Sequence, residues 1–307
     1  MPIYKQTDNR LVPIREKKVD LEKTLQNLIE TNLSDVFGLS FVATEFFLNN
    51  LRIDTLAFDE EAKAFVVIEY KRDKNFTVID QGYAYLALLL NNKADFVLEY
   101  NEKTKKNLKK DDVDWSQSRV IFIAQAFTKY QQEAIGFQDL PIELWEVKKY
   151  DEDLVSFNQV RASEKSESIK TVTKNKDIER VSREIKQYSV EDHIKPNWSK
   201  AKELFDEFSQ RVLELDPRFE IHPVKYYIGF NIENKNVIAV KVRTTKLLLE
   251  LFRVQPKDLK DPEKRTKYKK NSFEYYNKHI TQFDINSEDD IDYAMSLVKQ
   301  VYKSFTA

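Results

Sequence analysis

The sequence of 307 residues contains no cysteine and only three histidines, His193, His222 and His279, all in its C-terminal half. The first absence removes disulfides, thiolate zinc sites and cysteine nucleophiles together. The second argues against a catalytic zinc site built from histidines. Any metal site must then be mostly oxygen-ligated, which points to Mg²⁺, Mn²⁺ or Ca²⁺. No stretch approaches the roughly 18 apolar residues of a membrane span; the longest apolar run in the middle, 83–90, is far too short. The opening MPIYKQTDNRLVPIREKK is polar and has no apolar h-region, so no signal peptide is expected. A soluble, cytoplasmic protein with no membrane partner is the default expectation. An excess of charge of one sign is missing too: 50 Lys and Arg face 51 Asp and Glu, a net charge of -1. A strongly basic binder of nucleic acid would show more Lys and Arg. Any such surface must be local, and global charge neither supports nor excludes a DNA substrate.

What is present supports real cores. Hydrophobic residues make up 41% and aromatics 12%, with 20 Phe and 15 Tyr, which speaks against global disorder. Residues 161–187, RASEKSESIKTVTKNKDIERVSREIKQ, are rich in Ser, Lys and Glu and poor in large apolars. They read as a charged linker, so the expected division is 1–160, a linker at 161–189, and 190–307. In the first region DLEKTLQNLIETNL has helical spacing of Leu21, Leu25, Leu28, Ile29 and Leu33, with Asp20 able to cap it. LSFVATEFFL and LRIDTLAF read as strands meeting near Asn49-Asn50, and DEEAK turns the chain into AFVVIEYK. That last segment is apolar almost to its end, as a central strand buried on both faces should be. VIDQGYAYLALLLNN reads as a helix, SRVIFIAQAF as a strand, KYQQEAIGF as a short helix, and LPIELWEVKKY with DLVSFNQV as a closing hairpin. The order predicts an α/β layered domain with a mixed sheet flanked by helices. The second region reads as an α+β domain with a small antiparallel sheet: a helix WSKAKELFDEFSQRVLEL, strands YYIGFNIEN, VIAVKVRTT and KLLLELFRV, and a final helix DDIDYAMSLVKQVYKSF.

The candidate chemistry lies in IDTLAFDEEAKAFVVIEYKR. Glu69 and Lys71 are two apart on one strand, so they share a face with Phe65 and Val67. Paired across the hairpin, Asp54 and Glu69 could offer two carboxylates to one hard cation, with Lys71 beside them. Metal-assisted phosphodiester hydrolysis needs that set: the cation offsets phosphate charge, and the lysine adds positive charge where the transition state gathers negative charge. The plain alternative is a surface hairpin ending in ordinary charges. Two further features bear on the choice. At about 100° per residue from Leu21, Glu22 falls inside the apolar stripe of the first helix and Glu30, at about 180°, outside it. A carboxylate on a buried face is costly unless paired or metal-bound, whereas one in a first turn also suits the helix dipole. Gln81 and Tyr85, at i and i+4, share a face of the helix after the Glu-x-Lys strand; they could serve the adjacent site or simply begin the helix.

Taken in order, Glu22, Ile53-Asp54, Glu69-Tyr70-Lys71 and Gln81-Gly82-Tyr83-Ala84-Tyr85 resemble the PD-(D/E)XK nuclease superfamily in its RecB-like branch. The strings LEKTLQNLIETNL, RIDTLAFDE, VVIEYKR, QGYAYLALL and RVIFIAQAFTKY are similar as well, so the likeness covers about residues 15–160. Ile53 stands where the superfamily's name has Pro, a departure this branch tolerates. The resemblance implies a restriction-endonuclease-like core and a Mg²⁺- or Mn²⁺-dependent deoxyribonuclease of DNA repair, restriction or phage defence. It implies that Asp54 and Glu69 ligate the metal, helped by the Ile68 or Tyr70 carbonyl, with Glu22 ligating it or orienting a water. Lys71 would be the catalytic lysine, and Gln81, Tyr85 and Arg72 would support the site and the nucleic acid. The C-terminal region resembles a small domain that often follows nuclease-like domains and is sometimes labelled a predicted transport protein, in LDPRFEIHPVKYYIGF, KLLLELFRV and SEDDIDYAMSLVKQVY. Without a spanning segment nothing in it suggests membrane transport; it is expected to recognise a protein partner, a DNA structure or a second subunit, as in a homodimer. The Lys-rich stretches KDPEKRTKYKKNSFEYY and EKTKKNLKK could touch nucleic acid but read first as solvated loops. His222 and His279 read as structural. The rival to the nuclease is a catalytically silent module of the same fold that binds nucleic acid or protein.

Overall fold

A computed structural model describes residues 3–17, 22–71, 77–135, 140–160, 181–182, 184–276 and 278–306. The chain divides into two compact units, Met1–Lys186 and Gln187–Ala307.

In the first unit the described elements begin with a hairpin of β1 (Ile3–Thr7) and β2 (Arg10–Ile14), then β3 (Glu16–Lys17), α1 (Glu22–Thr31) and α2 (Leu33–Phe37). There follow β4 (Ser40–Leu48), β5 (Leu51–Asp59), β6 (Ala64–Lys71), α3 (Val78–Asn91) and α4 (Lys93–Thr104). The unit continues with β7 (Arg119–Ala124), α5 (Lys129–Ala134), β8 (Ile142–Tyr150) and β9 (Val155–Val160). Seven strands form one sheet in the order β3-β8-β7-β6-β5-β4, with β9 also paired to β8. It is mixed: β4, β5 and β6 run antiparallel, while β6, β7 and β8 are parallel. Parallel neighbours need crossovers; α3 and α4 supply one and α5 the next.

The middle strand explains the layering. Residues 64–70 of β6 are all buried, and alternate side chains feed two cores. Phe65 and Val67 pack with Val78, Tyr83, Leu86 and Leu89 of α3 and with Phe96 and Tyr100 of α4. Val66, Ile68 and Tyr70 pack with Leu25 and Ile29 of α1 and with Leu33 and Phe37 of α2. Burying each such side chain stabilises the fold by about 1.5–3 kcal/mol. The turn after β5 is fixed by Asp59, whose Oδ1 accepts the amides of Glu61 (2.9 Å) and Ala62 (2.8 Å). Its Oδ2 holds Arg119 of β7 at 3.0 Å.

Three expectations need amending. The buried stripe of α1 carries Leu25, Gln26 and Ile29, and Leu28 lies at its edge. Glu30 therefore faces the sheet rather than solvent: Thr55 Oγ1 donates to it at 2.6 Å and Gln26 Nε2 at 2.9 Å. Polar groups can occupy that stripe because they satisfy one another. Second, the segment read as a linker splits. Residues 161–180 lie outside the described residues, but Val181 and Ile185 are buried in the first unit's core. Lys186 is also bonded there: its amide donates to the Ser116 carbonyl (2.9 Å) and its carbonyl accepts from Gln117 Nε2. Third, the β1–β2 hairpin and α4 have no counterpart in the sequence reading. Nearly every residue of the hairpin is exposed, so no burial pattern marks it.

The second unit holds an antiparallel six-stranded sheet, larger than expected, in the order β10-β11-β12-β13-β15-β14. Its strands are β10 (Glu220–Val224), β11 (Tyr227–Ile232), β12 (Lys235–Val242), β13 (Leu247–Phe252), β14 (Lys267–Tyr268) and β15 (Ile280–Ile285). Helices α6 (Ser199–Leu215) and α8 (Asp289–Thr306) cover one face, and the short α7 (Ser272–Tyr276) precedes β15. Leu204, Phe208 and Val212 of α6 meet Ile291, Leu297 and Val298 of α8 over Phe230, Val240, Leu249 and Phe283. His279 stacks on Phe273 and is bonded by Tyr268 and Gln255, each at 3.0 Å. No helix among the described residues is long and apolar enough to cross a membrane.

Candidate active site

The site forms where β5 and β6 stop pairing. Their last rung is Thr55↔Ile68, so Asp54 and Glu69 face each other on the next, just as the ladder opens. Asp54 closes the gap itself: the Tyr70 amide donates to its Oδ2 at 3.1 Å. From the α1 side Gln26, 3% exposed, donates its Nε2 to the Asp54 carbonyl at 2.8 Å. Asp54 is thus gripped through both backbone and side chain. Glu69 is held by Lys71, whose Nζ donates to Oε1 at 2.9 Å. The other oxygen, Oε2, is buried and has no hydrogen-bond partner among the described residues.

Both carboxylates are almost wholly buried, at 4% and 6% exposed. Burial foremost pushes the Glu69 carboxyl up, and the Asp54 charge adds to it, outweighing Lys71. Burial also raises Asp54, against the pull of the Tyr70 amide, Arg52 and Lys71. Two acids forced together in a dry place resist ionising unless positive charge joins them. Tyr85 reaches in from α3. Its hydroxyl donates to the Arg52 carbonyl at 3.2 Å, and burial and the neighbouring Glu69 charge keep the phenol protonated. Gln81 stands one turn earlier on the same helix face, and its Oε1 is buried without a partner among the described residues.

The structure therefore brings Asp54, Glu69, Tyr70, Lys71 and Tyr85 together. Glu22 opens α1, but its side chain lies outside the described residues, and so does Arg72. Among the described residues no group of three or more His, Asp and Glu could hold a metal ion, so Asp54 and Glu69 stand as a pair. The donor set is all oxygen and includes a buried carboxylate atom in want of a partner, which suits a hard divalent cation.

Sequence reasoning missed three residues. Gln26 lies at about 140° on the wheel that placed Glu22, within the true stripe, and could have been found. Arg52 and Glu45 form the rim: Arg52 Nε meets Glu45 Oε2 at 3.0 Å, and its Nη2 lies 3.7 Å from Asp54 Oδ1. Glu45 has φ 50° in the middle of β4, a left-handed conformation that costs a non-glycine residue about 1–3 kcal/mol. No residue type announces that strain.

Residues 190–304 match a family described as a domain of unknown function, DUF5655. Over its whole length the chain goes further. It is 41% identical to an uncharacterised protein of Haemophilus influenzae across 304 residues, covering 99% of this chain and 100% of the other, and it belongs to that protein's family. Two solved structures align with parts of the chain. A repair endonuclease from Pyrococcus abyssi does so at 19% identity and a TM-score of 0.26, over 43% of this chain and 50% of its own. An EndoMS–dsDNA complex does so at 18% and 0.25, over 42% and 47%. The chain spans about half the length of each, and likenesses so loose carry no argument about fold or activity.

Proposed function

We propose that the first unit is a metal-dependent nuclease that hydrolyses DNA phosphodiester bonds, with Mg²⁺ or Mn²⁺ as cofactor. One observation carries the reading: Asp54 and Glu69 face each other where two strands part, with Glu69 Oε2 buried and without a hydrogen-bond partner among the described residues and Lys71 alongside. A divalent cation held there would offset charge on a phosphodiester and acidify water. Asp54 and Glu69 would hold it through carboxylate oxygens. Lys71 would keep positive charge where negative charge develops on the phosphate. Gln26 and the Tyr70 amide fix Asp54 in place, so little rearrangement is needed. Tyr85, protonated, can donate a hydrogen bond but not take a proton. The motif order Glu22, Asp54, Glu69-x-Lys71, Gln81 and Tyr85, which resembles the PD-(D/E)XK superfamily, supports the same reading.

The test is cleavage of single-stranded, duplex and nicked DNA with Mg²⁺ or Mn²⁺, beside Lys71→Ala and Asp54→Asn. Cation-dependent cutting by the parent and its loss in both variants is the expected result. A second reading is a module of this fold that binds DNA without cutting it; among the described residues only two carboxylates meet at the site. Binding without cleavage under every cation would establish that reading instead.

A further inference from the structure

Beside the carboxylate pair a string of charges crosses from α1 to β4 and β5. Lys23 Nζ lies 3.0 Å from Glu45 Oε1, and Arg52 Nε lies 3.0 Å from Glu45 Oε2. Arg52 Nη2 then approaches Asp54 Oδ1 at 3.7 Å. The pairs Thr44↔Thr55 and Phe46↔Ile53 flank Glu45 and set it across from Asp54. Its left-handed backbone, φ 50°, must be imposed by its surroundings. Strain of that kind, one strand away from reacting groups, asks for a functional reason.

Stability supplies a poor one. The Lys23 and Arg52 side chains are 56% and 61% exposed, and ion pairs so exposed contribute little to folding. The arrangement itself is more telling. Glu45 gives one oxygen to an ammonium and the other to a guanidinium, and Lys23 foremost, then Arg52, holds its carboxyl below the usual range. Two cations sharing the two oxygens of one anion is also how lysine and arginine grip a phosphate.

We propose that Lys23 and Arg52 form a subsite for a backbone phosphate of the DNA strand beside Asp54, and that the Glu45 carboxylate occupies it in the free protein. The proposal rests on the nuclease reading and deepens it. An arriving phosphate displaces Glu45 and takes over both cations. It also draws Arg52 away from Asp54, leaving Oδ1 to a divalent cation, so DNA and cation favour each other's binding.

The experiment is fluorescence anisotropy of a labelled DNA hairpin with a single-stranded tail. It is run on the full chain in Ca²⁺ over a range of salt, with Mn²⁺ calorimetry of the DNA-free protein. Lys23→Ala and Arg52→Ala should each weaken DNA binding about 5- to 10-fold and lower the salt slope by about 0.7–0.9. Glu45→Gln should bind DNA several-fold tighter, and Glu45→Gly, which relieves the left-handed backbone, should do the same without loss of thermal stability. Arg52→Ala should take up Mn²⁺ more tightly than the parent; unchanged uptake would show that Arg52 does not compete for Asp54. Arg52→Lys should recover part of the DNA affinity. If the parent binds DNA and Lys23→Ala and Arg52→Ala match it in affinity and slope, the subsite is overturned while the nuclease reading stands. Weaker binding by both Glu45 variants likewise overturns it. If the parent binds no DNA in any form, both fall together.

Discussion

Glu69 in the first unit and Glu250 in the second are buried to a like degree, 6% and 1% exposed. Each sits on a strand with lysine at hydrogen-bond distance, yet their carboxyls are driven in opposite directions. At Glu250, burial pushes up, but Lys241, Lys269 and Gln282 outweigh it and hold the group below its usual range. All three donate to Oε1, at 3.1, 3.0 and 2.8 Å. At Glu69 one lysine, helped by the Tyr85 hydroxyl, faces burial and a second acid together, and loses. At Glu250 three donors converge on one buried oxygen; at Glu69 a second carboxylate stands close by, and one oxygen has no hydrogen-bond partner among the described residues.

The contrast can be broken most decisively by rates. Asp54→Ala should abolish both DNA cleavage and Mn²⁺ uptake, while Lys71→Ala should lose about 10²–10³ in rate and still take up Mn²⁺ in calorimetry. Glu250→Gln should leave cleavage at the parent level; a loss there would erase the distinction between the two acids. Next in size is stability. Glu250→Ala strands two lysines that are each 20% exposed and should cost the second unit about 2–4 kcal/mol in urea unfolding. Gln26→Ala removes the amide nitrogen that lies within hydrogen-bond distance of Glu30, Thr44 and the Asp54 carbonyl and should cost the first unit about 1–3 kcal/mol. Glu69→Gln should go the other way, raising first-unit stability by about 1 kcal/mol at neutral pH.

Acidity gives the finest test. The Asp54 and Glu69 carboxyls are raised above ordinary values of 3.8 and 4.5, so the folded state holds their protons more tightly than the unfolded one. Their contribution is therefore most favourable below those values and is lost as pH climbs through the folded ones. Glu250 is lowered from 4.5; its contribution is whole above that value and is lost as pH falls through the folded one. Calorimetric scans from pH 7 towards 4.5 should show the Glu69→Gln gain shrinking while the Glu250→Gln loss persists. The same slope for both would mean that the two sites are electrostatically alike.

Much of the candidate site was legible because burial and chemistry coincide on one strand. AFVVIEYK is apolar on both faces until Glu69, and the strand occupies those residues, Ala64–Lys71. Asp54 could be placed opposite by counting through a short turn. The rest was hidden for physical reasons. The register of the last rung, which sets Asp54 against Glu69, depends on where the ladder opens. Glu30 was misplaced because its partners, Thr55 and Gln26, are polar and add nothing to an apolar stripe. In the second unit β15, ITQFDI, alternates too briefly to stand out, yet it lies between β13 and β14.

Val181, Ser182 and Ile185 return to the first unit from beyond residues 161–180. There the Ser182 hydroxyl lies 3.3 Å from that of Tyr83, and Glu184 pairs with Lys93 at 2.8 Å. Covalent connection is what holds these side chains at high effective concentration beside that core. A single backbone cut between residues 160 and 181 would turn an intramolecular contact into a dilute bimolecular one. The core patch around Tyr83 would then open to water, although no residue of the first unit had changed.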